Sequence, residues 1–185
     1  MVDITWIIAG AVLLVVVWAV YAYNKLVRTK NYMAEGWSGI DVLLKKRYDL
    51  IPNLVETVKG YAAHESRLLQ EVTALRSKAM NTGDVAEKQV VEQGVSRVIG
   101  NLLAVAENYP DLKASTNFQQ LQQDLAGVET ELERARRYYN ATVRDNNVVV
   151  EGFPSGIIAN MFHFKKGVFF EIDTAAHREA PKVSF

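Results

Sequence analysis

The chain has no cysteine. That excludes disulfides and thiolate metal sites, while leaving the cellular compartment open. Histidine occurs only at His64, His163 and His177, at no metal-ligand spacing. His64-Glu65 opens like a zinc-protease helix, but Leu68 stands where the second histidine would have to be. The Glu-x-x-His pairs of a di-iron bundle are missing, as are a glycine-rich phosphate loop and a G-x-S-x-G elbow. No catalytic residue, metal site or cofactor is therefore expected. Asn140-Ala141-Thr142 spells a glycosylation sequon, but mid-helix it reads as accidental. Charge of one sign is not in excess either: 21 basic residues face 21 acidic ones, which leaves no electrostatic footprint for nucleic acid. With 4 prolines and 11 glycines in 185 residues, the chain suits a helical fold better than an all-β one.

What the sequence does have is a long apolar run. Ile4 to Tyr23 contains no charge over twenty positions. As a helix it would be about 30 Å long, the thickness of a bilayer's hydrocarbon core. A cleaved signal would need a basic start and a shorter apolar stretch, whereas this chain opens Met1-Val2-Asp3. A retained anchor is the expectation. Trp18, Tyr21 and Tyr23 suit an interfacial aromatic belt at one edge, and Trp6 suits the other. Ala9-Gly10-Ala11 would let two spans approach closely, though one small-residue cluster is weak ground for pairing. No basic residue precedes the run, and Lys25, Arg28 and Lys30 follow it. The positive-inside rule then places a single-pass protein in the cell (inner) membrane, with its N-terminus outside and the remainder cytoplasmic.

Beyond Tyr23 nothing stops the helix before Arg47. Leu26, Met33, Trp37, Ile40 and Leu44 form a bundle-facing stripe. Gly36 and Gly39 flank Trp37 and each costs about 1 kcal/mol relative to alanine. Either the loss is tolerated or a neighbouring backbone comes close. Lys45-Lys46-Arg47 suits a helix C-terminus, and Asp49 suits an N-cap with Pro52 in the next first turn. A tight turn near Tyr48-Asp49 is the expectation. The other reading is one long helix kinked at Pro52, because the apolar phase continues through Leu44, Tyr48, Ile51, Val55 and Val58.

A second helix over about 50–79 would carry Leu54, Val58, Tyr61, Leu68, Val72 and Leu75 inward. Asn81-Thr82-Gly83-Asp84 reads as a loop whose Asp84 caps a third helix, about 85–108, which Tyr109-Pro110-Asp111 ends. Ser115 or Thr116 caps a fourth, with a stripe running from Phe118 through Leu125, Leu132, Tyr139 and Asn146 to Phe153 in coiled-coil style. Parity in an up-down bundle returns the end of that helix to the bilayer. Pro154-Ser155 breaks it. Ile157, Ile158, Met161 and Phe162 then share one face of a short helix before Lys165-Lys166. That helix either caps the open end of the bundle or lies at the interface or against a partner beside the anchor. The expected fold class is all-α: an anchor over 1–23, an antiparallel four-helix bundle over 24–153, and an amphipathic segment with a tail over 154–185.

These residues assemble a pattern. Tyr23-Asn24-Lys25-Leu26-Val27, Trp37-Ser38-Gly39-Ile40-Asp41-Val42 and the stretch Lys45 to Tyr61, with Asp49-Leu50-Ile51-Pro52-Asn53-Leu54-Val55 at its centre, closely resemble the LemA family of bacterial membrane proteins. Glu107-Asn108-Tyr109-Pro110-Asp111-Leu112, Tyr139-Asn140 and Phe153-Pro154-Ser155 through Phe164 match it too, so that the likeness covers about 20 to 172. The resemblance implies an N-terminal anchor, an antiparallel helical bundle and no established enzymatic activity. It links the chain to membrane organisation, magnetosomes included, and to gene neighbourhoods that hold membrane proteases. Family members often have Ala where Gly36 stands, and a second Tyr-Asn where Asp145-Asn146 stands.

The expected function is a non-enzymatic membrane-anchored bundle that self-assembles or scaffolds membrane proteins. The alternative is an accessory adaptor of a membrane protease or signalling enzyme. The expected partners are membrane lipid, further copies of the chain and other membrane proteins. Gly36, Trp37, Gly39, Ile157, Ile158, Met161 and Phe162 are the candidate interface.

Overall fold

The first helix does not stop where a turn was expected. In the computed structural model, which describes residues 4–171, α1 runs unbroken over Ile4–Lys59 with Pro52 inside it. Asp49 and Pro52 are therefore not the N-cap and first turn of a new helix. The reason lies outside the local sequence. A proline in a helix removes one N–H and so orphans the carbonyl four residues back, here that of Tyr48. The Arg76 Nε donates to that carbonyl at 2.7 Å, which offsets the lost backbone bond. Meanwhile the stripe Leu44, Tyr48, Ile51, Leu54 and Val58 stays buried through the proline in one continuous phase. Arg47, read from sequence as a helix-end cation, is instead a mid-helix residue only 3% exposed.

α1 ends at Lys59, and a short 3-10 turn over Ala63–Glu65 leads into α2, Ser66–Asn81. That break leaves Tyr61 exposed rather than inward. The Asp84 side chain accepts from the backbone N–H groups of Ala86 and Glu87 and caps α3, Val85–Ala106, as its sequence suggested. Pro110 opens the five-residue α4, Pro110–Ala114. α5 spans Thr116–Glu151, and α6 spans Ser155–Met161. All these elements are helical, and no strand occurs among the described residues.

The chain packs as two compact units, and α1 and α5 contribute residues to both. One unit takes residues 4–40 and 135–169. Its helices meet at Gly36, where an added Cβ would come within 3.2 Å of the Tyr139 Cα. Trp37 lies beside the Tyr139 ring with centroids 5.5 Å apart. Further along, the Thr29 hydroxyl sits 3.2 Å from the Asn146 amide oxygen, and Leu26 packs with Val149.

The other unit takes residues 41–134 with Phe170. α2 packs on α3, and a buried polar cluster joins α1, α3 and α5. The Arg47 Nη1 is 3.2 Å from Glu92 Oε2 and 3.7 Å from Glu129 Oε2. Its Nη2 donates to Ser96 Oγ at 2.7 Å, and the Tyr48 hydroxyl donates to the other Glu92 oxygen. Lys88, 6% exposed, pairs with Asp41 at 2.8 Å. The Glu92 carboxylate is completely buried, and such a charge is tolerable only with donors on both oxygens.

Candidate functional site

Among the described residues, nothing packs over the apolar start of α1. Its most apolar window has a mean hydropathy of 2.4 and no buried residue. Among the described residues α1 is the one helix long and apolar enough to cross a membrane. Trp6 and Tyr21 are exposed. The first cover arrives at Trp18 and Ala19, which are half-buried, and at Ala22 and Leu26, which are buried.

That cover is α6. The Ser155 hydroxyl reaches the Val149 carbonyl at 2.8 Å and folds the chain back after α5. α6 then buries Ile158 and Ala159 against Ala22, Leu26 and Val149. Burial of such a leucine, isoleucine or valine contributes about 1.5–3 kcal/mol each. The helix ends at His163, whose φ of 57° is left-handed, and the Phe164 N–H closes it on the Ala159 carbonyl at 2.9 Å. Phe162 and Phe164 meet the Tyr23 ring edge-on, with centroids 4.9 and 5.8 Å away.

Residues 165–168 continue as an extended strap. Asn147 holds it by a reciprocal pair: its amide nitrogen donates to the Gly167 carbonyl at 3.1 Å, and its amide oxygen accepts from the Gly167 N–H at 2.8 Å. The Tyr139 hydroxyl donates to the Val168 carbonyl at 2.9 Å, and burial pushes this phenol's pKa up. A Cβ on Gly167 would collide with Met33 Sδ and crowd Val143. Glycine here serves close approach rather than φ, and a larger residue would have to displace the Met33 side chain.

The candidate interface residues therefore divide. Gly36 and Ile158 are buried within the chain's own packing, and Trp37 is half-buried there. Gly39 faces open space. Ile157, Met161 and Phe162 are 54%, 64% and 53% exposed on the outer side of α6. Phe153, read as the last core position of its stripe, is 90% exposed beyond the end of α5. Asn147, Gly167 and the strap had no signal of their own, because an asparagine beside a buried asparagine carries no periodicity. Arg47 and Glu92 lie beside the apolar stripes, next to Tyr48 and Val91, and no spacing marked them as a buried pair.

The cluster around Glu92 is the place where side-chain chemistry could be sought. Tyr48 is driven strongly toward its neutral form, first by burial, then by its hydrogen bond to Glu92 and the charge of that carboxylate. A phenol so held donates to Glu92 and is no nucleophile near neutral pH. Arg47, Ser96 and Tyr48 saturate the cluster internally, so it serves to fix helix register. No three carboxylate or imidazole groups gather as a metal site among the described residues.

Comparison with known proteins places the chain in a family. The chain is 30% identical to "Protein LemA" of Metamycoplasma hominis, over 72% of its own length and 58% of that protein. It is 22% identical to a magnetosome protein MamQ of Paramagnetospirillum magneticum and 21% identical to magnetosome protein MamQ of Magnetospirillum gryphiswaldense. Each of those matches covers 80% of this chain and 64% of the relative. The chain thus spans about three-fifths of the length of these relatives. Neither name carries an enzymatic activity. The family profile matches residues 36–185, from the buried Gly36 through α6 and the strap. That match takes in most of the chain, and the protein belongs to the LemA family.

Proposed function

We propose that this is a single-pass, membrane-anchored helical protein that works by association rather than by catalysis. The observation that carries this is the fully exposed, membrane-length start of α1, which continues without a break into the folded part and is met by α6 just where its apolar run ends. The helices form an antiparallel four-helix bundle, in keeping with the way Gly36, Thr29 and Leu26 meet Tyr139, Asn146 and Val149 in turn. Lys25, Arg28 and Lys30, joined by Lys165 and Lys166 in the same unit, favour a cytoplasmic bundle with the N-terminus outside. The protein self-assembles or scaffolds other membrane proteins, and relatives named as magnetosome proteins support a part in membrane organisation.

Crosslinking and light scattering of the full chain in lipid test this reading. Discrete oligomers, or a co-purifying membrane protein, are expected. Monomers alone, with no partner retained, would remove it. Stoichiometric capture of one membrane protease or signalling enzyme would turn the reading to an adaptor.

A further inference from the structure

Beside the junction of α1, α6 and the strap lies a cavity of about 550 Å³. Lys30, Lys165 and Lys166 stand around it, with Tyr23, Phe162 and Phe164 among its walls, and among the described residues no carboxylate lines it. Lys166 is paired with Glu151 outside the cavity. Lys30 and Lys165 have no ion-pair partner among the described residues.

The cavity is continuous with the apolar surface of the span. Val16, Val20, Tyr23, Val27 and Lys30 follow one another at spacings of four, three, four and three, which is one face of a helix. Val16 and Val20 are 52% and 56% exposed. Lys30 lies about 10 Å along the helix from Tyr23, within a lysine side chain's reach of the headgroup layer. One face of α1 therefore presents hydrocarbon, then the Tyr23 ring, then the Lys30 ammonium, and the segment 162–166 adds further rings and lysines at the same levels. An anionic lipid presents the same order, with acyl chains, a glycerol region and a phosphate.

We propose that this cavity seats the headgroup of an anionic phospholipid, whose acyl chains lie along Val16 and Val20. A free phosphate would have no use for the apolar stripe. A zwitterionic lipid would offset its phosphate with its own cation and gain less from Lys30 and Lys165. The inference rests on the anchor reading above and adds the class of lipid.

The test uses the full chain in vesicles of phosphatidylcholine with a fraction of phosphatidylglycerol. Native mass spectrometry measures which lipid stays bound. The wild-type chain is expected to retain phosphatidylglycerol preferentially. Lys30→Gln with Lys165→Gln is expected to reduce that preference by about fivefold per lysine. Lys30→Arg with Lys165→Arg keeps it, which guards against a folding defect in the glutamine pair. Lys45→Gln with Lys78→Gln, both exposed in the other unit, also keeps it. Equal retention of both lipids by the wild-type chain would overturn the proposal, as would an undiminished preference in the glutamine pair. Displacement of the lipid by excess inorganic phosphate would overturn it as well. A chain that fails to float with vesicles of either composition would instead defeat the anchor reading, so the two failures are distinguishable.

Discussion

In the unit built from residues 41–134, three of the polar groups withdrawn from water are charged: Arg47, Lys88 and Glu92. In the unit built from residues 4–40 and 135–169 the fully buried polar residues are Thr142 and Asn146, both neutral, while the half-buried Arg136 withdraws two of its guanidinium nitrogens. The first unit is tied side chain to side chain, through Arg47, Tyr48, Glu92 and Ser96. The second adds to its Thr29–Asn146 pair a set of side-chain-to-backbone bonds, through Asn147, Tyr139 and Ser155. Burying a charge costs several kcal/mol and is recovered only when every partner is in place. Burying an amide or hydroxyl costs far less and depends on fewer groups. In the unit that carries the apolar span, the contacts of Asn147, Tyr139 and Ser155 are thus of the less demanding kind, while the cluster of the other fails if one member is lost.

The largest expected effect follows from that. Glu92→Ala should destabilise its unit by about 3–5 kcal/mol in equilibrium urea unfolding, because it leaves Arg47 buried without its main counter-charge. Adding Arg47→Met should recover much of the loss. If Asn146→Ala in the other unit cost as much as Glu92→Ala, the distinction between the units would be broken.

Arg76→Met should cost about 1–3 kcal/mol by orphaning the Tyr48 carbonyl. In a Pro52→Ala background the restored N–H at position 52 can serve that carbonyl, so the same change should cost less. A double-mutant cycle without coupling would sever Arg76 from the proline. Asn147→Ala should cost roughly 1–2 kcal/mol, lost locally. Faster hydrogen exchange at the Gly167 amide should report it, with no change around Glu92.

Alkaline titration sharpens the comparison further. Below pH of about 10 the Tyr48 phenol is protonated whether the chain is folded or not, and stability does not depend on it. Above that, the unfolded chain loses the proton while the folded one keeps it, since burial and Glu92 hold the phenol neutral. Stability should therefore fall with rising pH, by up to about 1.4 kcal/mol per pH unit for this proton. Tyr48→Phe should flatten the slope in denaturation curves collected across that range. The smallest effects concern two glycines three residues apart. Gly39→Ala faces open space and should stabilise the helix by up to about 1 kcal/mol. Gly36→Ala meets the Tyr139 Cα at 3.2 Å and should raise the melting temperature less than Gly39→Ala does.

Much of the architecture is legible in the sequence alone. The apolar run, the stripes of α3 and α5, the Asp84 cap and the short helix after Pro154 follow from hydropathy, period and capping chemistry, all properties of neighbours along the chain. Pro52 is not legible in the same way. Its missing N–H argues for an end, and the argument fails because a guanidinium from another helix supplies the lost bond. Lys45, Lys46 and Arg47 look alike in sequence, yet only Arg47 lands on the buried phase and finds Glu92. The strap has no pattern at all, because its bonds run from the side chains of α5 to its own backbone.

By itself, the sequence determined that a membrane-length apolar helix leads into amphipathic helices, since apolar length and periodicity are local quantities. Only the tertiary structure decided whether α1 passes through its proline, which charges are buried, and which of Gly36 and Gly39 is pressed against a neighbour. Each of those turns on one group from a distant part of the chain arriving within a few ångströms, a fact that no local spacing contains.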